Sequence, residues 1–491
     1  MEELLTETVD IKNINDPVKE ILSERYSISD IELTESLNEL NHFLSFLKDD
    51  LYIIIEHPYV DKIYRDSYYH YYASKGEEFS RNCIRLSFFF CPVKESDFFD
   101  SEKSPFLREI YLGFLVIRPT FPFIIGRNVI SPKAFKNSEF AICNVAYNVT
   151  VNGLKMSVNG FPHCSQDSET ISCAETTIWS VLEYFGNRYP EYTPTLPSKI
   201  NKTLSSYSFQ RLTPTNGLTA SQISYLLKEF GFGVKMYSKD AHEYDFIRLL
   251  KMYIESGIPV IGIITNDNIG HALTIVGREL INKNQHDNIL PILKIEMQNL
   301  EIYDYYDLFS KYVFIDDNFS PYQLTDLSDP TSYYDSKRWE NCSIDSFVVP
   351  LYHKIYMVAE EARRNAISIL KEHGLITNKQ IIIRTLLASS RSYKHYITQN
   401  ALLAEEFKKL ILSSSMPKFI WIAEIIDKEM VNEGLCSGIM IFDATEPKRI
   451  NILAALVGNY YIRANFSGFI KTKINKPITP FTGFYNNLLR L

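Results

Sequence analysis

Through the first 50 residues apolar side chains recur every three or four positions. The pattern is clearest in LNELNHFLSFLKDDLYIII and predicts a helical start to the chain. The next stretch, EHPYVDKIYRDSYYHYYASK (56–75), carries an aromatic stripe among charges that fits one face of a helix. IRLSFFFCP (84–92) and REIYLGFLVIRP (108–119) are short β-branched or aromatic runs closed by proline, and both predict strands. Between 139 and 162, alternating segments flank Asn152-Gly153 and Asn159-Gly160, dipeptides suited to tight hairpin turns.

Beyond residue 160 the pattern changes. A helix is predicted from Cys173 to Phe185, stopping at Gly186, and a proline-rich loop follows. GLTASQISYLLKEFGF (217–232) predicts a second helix, capped by Thr219 or Ser221 and ended by Gly231. A strand at 234–238, a helix at 244–257 ending at Gly257, and buried strands at 258–265 and 271–280 come next. Residues 281–310 are polar, then acidic and aromatic, and read as an insertion; 312–324 reads as a strand and a turn. The last region mixes helices (355–373, 401–414, 420–433) with strands (438–445, 460–466). The expected class is α+β, with a mixed N-terminal domain over 1–150, a middle domain over 151–344, and a C-terminal region over 345–491 that is either separate or an extension of the middle one.

Composition narrows the function classes. Hydrophobic residues make up 45% of the 491 and charged residues 22%, as in globular proteins. The net charge of −8 gives no general electrostatic case for nucleic acid. No apolar run is long enough to span a bilayer, and the N-terminus lacks the basic start of a secretory signal, so no membrane partner and a cytoplasmic location are expected. Seven scattered cysteines with no CxxC pair predict neither a disulfide framework nor a zinc site, and no cofactor is expected. His163-Cys164 lacks further ligands at metal spacing.

The chemistry concentrates around one thiol. In QDSETISCAETTIWSVLEYFG (166–186), Cys173 opens a helix, where unpaired backbone N–H groups and the dipole favour thiolate. A lone cysteine of this kind is more often an inert buried thiol; ordered partners change the reading. His271 starts a strand after a glycine, placed to act as general base and acid. Asp316 and Asp317 end the strand YVFI, where either could orient the imidazole. Gln166, together with the Cys173 backbone N–H, could stabilise an oxyanion.

The order of these segments resembles papain-like cysteine peptidases, and within them the bacteriocin-processing double-glycine leader peptidases and their bacterial relatives. The resemblance rests on the Gln…Cys-Ala helix, LLKEFGFGVKMY, IESGIPVIGIIT, GHALTIVG and YVFIDDNFSPY, over about 160–325. It implies a papain-like middle domain with Cys173 as nucleophile, His271 as base, Asp316 as orienting residue and Gln166 as oxyanion donor. Three departures stand out. Gln166 lies one residue further from the cysteine, the His-to-Asp gap is longer, and Asp-Asp-Asn replaces a single Asp, so Asp317 or Asn318 could take the orienting role. No exporter segment accompanies the motif, so specificity for double-glycine leaders is not carried over.

The expected activity is hydrolysis of a peptide or isopeptide bond in a peptide or protein substrate, with the flanking regions selecting substrate or receiving a regulatory partner. The same residues would serve an acyltransferase or transglutaminase-like enzyme, and a silent peptide-binding scaffold would keep the fold without the chemistry.

Overall fold

The computed structural model describes residues 5–491 apart from 76–78, 168, 208–217, 282–288, 447–451 and 466–467. Helices and strands contribute about equally and the strands form several sheets, an α+β architecture.

The first sheet is antiparallel, in the order β1 (Leu5–Asp10), β2 (Tyr52–Tyr59), β3 (Cys83–Phe89), β4 (Tyr111–Ile117), β5 (Ile125–Ile130). Helices α1 (Asn15–Arg25) and α2 (Asp30–Leu44) share one core with it; α3 (Lys62–His70) and α4 (Ser104–Ile110) lie nearby in sequence. Ser29 and Glu32 close a capping box that starts α2, and its face of Leu33, Leu40, Phe43 and Leu44 is buried. The helical pattern breaks after Leu47 because Ile53, Ile54 and Ile55 are all fully buried in β2, a site for β-branched residues covered on both sheet faces.

β6 (Phe140–Cys143) leaves this sheet. Next comes a hairpin, β7 (Val145–Val151) and β8 (Leu154–Gly160), which turns at Asn152-Gly153 with φ of 42° and 83°. Asn159-Gly160 instead lies inside β8. Helix α5 (Cys173–Arg188) runs through Gly186, where a Cβ would sit 2.4 Å from Pro194 N; this glycine serves close packing of the proline-rich loop, not helix termination. Then follow α6 (Pro197–Ser205), α7 (Ala220–Glu229), capped by Thr219, β9 (Phe232–Ser238), α8 (Phe246–Glu255), β10 (Val260–Thr265) and β11 (Gly270–Glu279). Gly231 and Gly257 adopt φ of 92° and 70° after α7 and α8, as their C-terminal positions predicted. Gly217 of the expected helix lies outside the described residues.

The central antiparallel sheet has the order β15-β14-β11-β10-β16-β9, with β12 (Leu293–Ile295), β13 (Leu300–Asp304), β14 (Lys311–Ile315), β15 (Gln323–Asp326) and β16 (Ser343–Tyr352) following in the chain. β6 pairs with β11, and Leu488–Leu489 pairs with β6. Sheet membership therefore crosses the expected boundaries: β6 and β16 belong with the middle region, while β12 and β13 join the last sheet. Residues 281–310 are in part the edge of that sheet, β13 pairing in parallel with β17 (Lys379–Ser389). The last sheet continues to β18 (Phe419–Asp427) and then through strands at 438–443, 452–457, 460–465 and 468–473. The segment 420–433 was expected to be helical. It is mostly β18 because all nine of its residues are buried, and Ile-Trp-Ile-Ala-Glu-Ile-Ile suits a two-sided strand.

A buried ionic cluster ties the last two sheets together. Glu255 at the end of α8 accepts from Arg278 of β11 at 2.6 Å and from Arg384 of β17 at 2.7 Å, and Arg384 also reaches Glu424 of β18 at 2.8 Å. Among the described residues no helix is long and apolar enough to cross a membrane.

Candidate functional site

Loop 166–172 delivers Cys173 to the first position of α5. Asp167 folds this loop: its Oδ1 accepts the N–H groups of Glu169, Thr170 and Ile171 at 2.7–3.0 Å, and its Oδ2 accepts the Tyr72 hydroxyl at 2.9 Å. Glu175 accepts from the Ser172 N–H at 2.9 Å, closing the helix start in a capping arrangement. Cys173 is only half-buried, whereas Ala174 to Phe185 are buried. Thr177 Oγ1 donates to the Ala272 carbonyl at 3.1 Å, locking α5 to β11 one residue from His271.

His271 is 5% exposed, and its Nε2 lies 2.9 Å from Asp316 Oδ1 and 3.5 Å from Asp317 Oδ1. The Cys173 thiol is a hydrogen-bonding neighbour of the same ring. With Nε2 committed to Asp316, Nδ1 is the nitrogen left for sulfur. Burial acts to lower the His271 pKa, but the Asp316 carboxylate and its hydrogen bond outweigh it, and the pKa is raised well above the ordinary value. This environment favours the charged ring, the form in which both nitrogens donate.

The structure brings Cys173, His271, Asp316 and Asp317 together and gives the two aspartates different environments. Asp316 is fully buried. Its Oδ1 accepts from His271 and from the Asn318 N–H at 3.0 Å, and its Oδ2 accepts the hydroxyls of Tyr333 at 2.8 Å and Tyr334 at 2.7 Å. Burial pushes its pKa up; the imidazolium and these donors reverse that and leave it lowered. Asp317 has no close donor, only His271 Nε2 at 3.5 Å and a weaker interaction with Thr176, and burial raises its pKa to about 7. Asp316 is therefore the residue that holds His271. Asn318 contributes its backbone to Asp316, and its side-chain oxygen accepts the Gln166 amide at 2.8 Å. Gln166 is thus tethered beside the site with one amide hydrogen still free.

Tyr333, Tyr334, Trp339 and Arg118 were not singled out by sequence reading, and His163 was weighed there only as a metal ligand. Tyr333, Tyr334 and Trp339 sit on a loop without a periodic pattern. Trp339 stacks on Tyr334 at 3.9 Å and meets the His271 ring edge-on at 5.2 Å, screening the His–Asp bond from water. His163 donates through Nε2 to the Asp316 carbonyl at 3.0 Å and accepts at Nδ1 from the Asn128 amide at 2.8 Å. It is fully used as a strut from β5 to the end of β14, and burial lowers its pKa to about 4. Arg118, 3% exposed, donates to the carbonyls of Ser165 at 2.9 Å and Gln166 at 2.5 Å and so fixes the approach to the loop.

His271, Asp316 and Asp317 present ligand atoms within 4.8 Å of one another, a spacing that could hold a metal ion. A metal bound there would have to displace the His271–Asp316 hydrogen bond, and Asp316 already spends both oxygens on neutral donors. The donor set fits a positioned imidazole better than a metal.

No protein-family profile matches the chain, and no curated protein matches it in sequence.

Proposed function

We propose that the middle region is a papain-like cysteine hydrolase acting on a peptide or isopeptide bond. The observation that carries this reading is a thiol at a helix N-terminus sharing a buried imidazole whose other nitrogen is held 2.9 Å from a saturated carboxylate. The Cys173 thiolate attacks the carbonyl carbon. The oxyanion that forms is met by the Cys173 N–H and the free amide hydrogen of Gln166. His271 gives its Nδ1 proton to the leaving amine, producing an acyl-enzyme. Neutral His271 then takes a proton from water as it attacks the thioester, and the carboxylic acid leaves. Asp316 keeps the ring oriented and stabilises its charged form throughout.

The test is labelling with an electrophilic acyl probe, read by intact mass. One adduct on wild type, absent in Cys173→Ala and strongly slowed in His271→Ala, is the expected result; an adduct that persists in Cys173→Ala rejects the assignment. Adding a primary amine to a turnover assay separates hydrolysis from acyl transfer, since an amide product in place of the acid would identify a transferase.

A further inference from the structure

At the Gln166–Asp317 edge of the site, between α2 and the turn from Asp317 to Ser320, lies a cavity of about 440 Å³. Its volume is at the low end of small-molecule pockets, roughly 300–1,000 Å³. Phe319 anchors the turn against α2, its ring 5.4 Å from His42 and 6.3 Å from Phe46. The lining is mixed in a particular way. Phe43, Phe123 and Phe319 supply apolar walls, while Glu35, Glu39 and Asp317 supply three carboxyl groups; no lysine or arginine lines it among the described residues.

Asp317 sets this cavity apart from an ordinary acidic patch. The residue is 6% exposed, no donor makes a close hydrogen bond to either carboxyl oxygen, and its nearest cation is His271 Nε2 at 3.5 Å. The two side chains that interact with it, His271 and Thr176, make closer hydrogen bonds elsewhere: His271 Nε2 to Asp316 at 2.9 Å, and Thr176 Oγ1 to the Cys173 carbonyl at 2.8 Å. A buried carboxyl so weakly compensated is disfavoured in its ionised form. Glu39 is held from the backbone, by the Ile124 N–H at 2.7 Å and by Ile125, and burial outweighs these and the Arg118 charge to raise its pKa to about 7. Arg118 is the buried cation behind this wall, and it points its nitrogens at carbonyls of 123, 165 and 166.

We propose that this cavity is a specificity subsite for a lysine or arginine side chain of the substrate, its stem against the phenylalanines and its charge between Glu39 and Asp317. The inference rests on the reading of Cys173 as nucleophile. Aromatic walls suit the long aliphatic stem of a basic side chain, and the charged head supplies the close donors that His271 and Thr176 direct elsewhere. The cation also favours the ionised form of both carboxyls, which burial alone disfavours.

Methanethiosulfonates test the subsite without a known substrate. The Cys173 thiolate attacks the sulfenyl sulfur, a mixed disulfide forms, and methanesulfinate leaves. Rates of ω-aminoalkyl reagents with two to six carbons are compared with those of uncharged alkyl reagents of the same length, by intact mass. Wild type is expected to favour the ammonium reagents by about tenfold or more at one chain length, and Glu39→Gln to reduce that preference to about threefold or less. Glutamine keeps an oxygen for the Ile124 N–H, and near-UV circular dichroism checks that the fold is intact; Asp317→Asn is the second variant. Equal rates in wild type, or a preference that survives both substitutions, overturns the subsite. Failure of Cys173 to react with any reagent, while half-exposed Cys91 reacts, rejects the nucleophile assignment and the subsite with it.

Discussion

Asp316 and Asp317 are neighbours in sequence with opposite behaviour, and the difference lies in their donors. Asp316 accepts four close hydrogen bonds, whereas Asp317 has only the 3.5 Å approach of His271 and a weaker interaction with Thr176. Replacing Asp316 by Asn removes the larger of the two carboxylate charges that raise the His271 pKa. NMR titration of the ring should show that pKa falling, with the acylation rate down by about 10²-fold or more. Tyr334→Phe removes a single donor and should cost only about 1 kcal/mol of transition-state or folding free energy. His163 gives a second titration test. Its folded pKa of about 4 lies below the unfolded 6.5, so the unfolded chain binds the proton first. Stability from this residue is then complete above pH 6.5 and is lost as pH falls toward 4, by up to about 3 kcal/mol. In His163→Gln the difference from wild type in chemical unfolding should vanish across that window; a parallel pH dependence would mean the ring is solvated.

At the scale of elements, the strands and helices around the thiol could be read because their caps and periods are local. Cys173 opens α5, Thr219 caps α7, and Gly231 and Gly257 take left-handed conformations where the pattern placed them. What could not be read depends on partners distant in sequence. The isoleucines of β2 and the whole of β18 follow helix-compatible patterns but are covered on both faces. The Tyr333–Trp339 loop carries no period at all, yet it supplies two donors to Asp316 and a cover for His271. Gly277 tests the coupling of β11 to β6: a Cβ there would lie 2.1 Å from the Ala141 carbonyl oxygen. Gly277→Ala should destabilise the fold by about 2–4 kcal/mol and, by shifting β11, slow Cys173 labelling as well. Labelling unchanged at full stability would show that β6 can yield without moving His271.

Across the whole molecule, the flanking regions are built into the site. Asn128 of β5 reaches Asp316 through His163, Arg118 of the N-terminal region holds the carbonyl of Gln166, and α2 walls the adjoining cavity. The expectation placed the chemistry in the middle third and gave the flanks substrate selection or regulation without naming a residue, because contacts between residues 35 to 153 positions apart leave no local signal. The Glu255 cluster makes the same point for the last sheet. Burial raises the Glu255 pKa, and Arg278 and Arg384 more than reverse this, leaving it lowered. Its contribution is present above the unfolded carboxylate pKa and is lost as pH falls through the folded one. Glu255→Ala leaves two buried guanidinium groups without their shared partner and should cost about 3–5 kcal/mol. Because the cluster spans two sheets, thermal unfolding should show both losing structure in one transition at lower temperature, and separate transitions would contradict the coupling.

The most direct test of the central claim is the rate of Cys173 alkylation by iodoacetamide at neutral pH, with half-exposed Cys91 as internal reference. A thiol that shares a proton with the His271 imidazole should alkylate about tenfold or more faster than Cys91, and His271→Ala should bring the two rates to within about threefold. If Cys173 in wild type reacts no faster than Cys91, or keeps its advantage in His271→Ala, it is not a paired nucleophile, and the hydrolase reading fails.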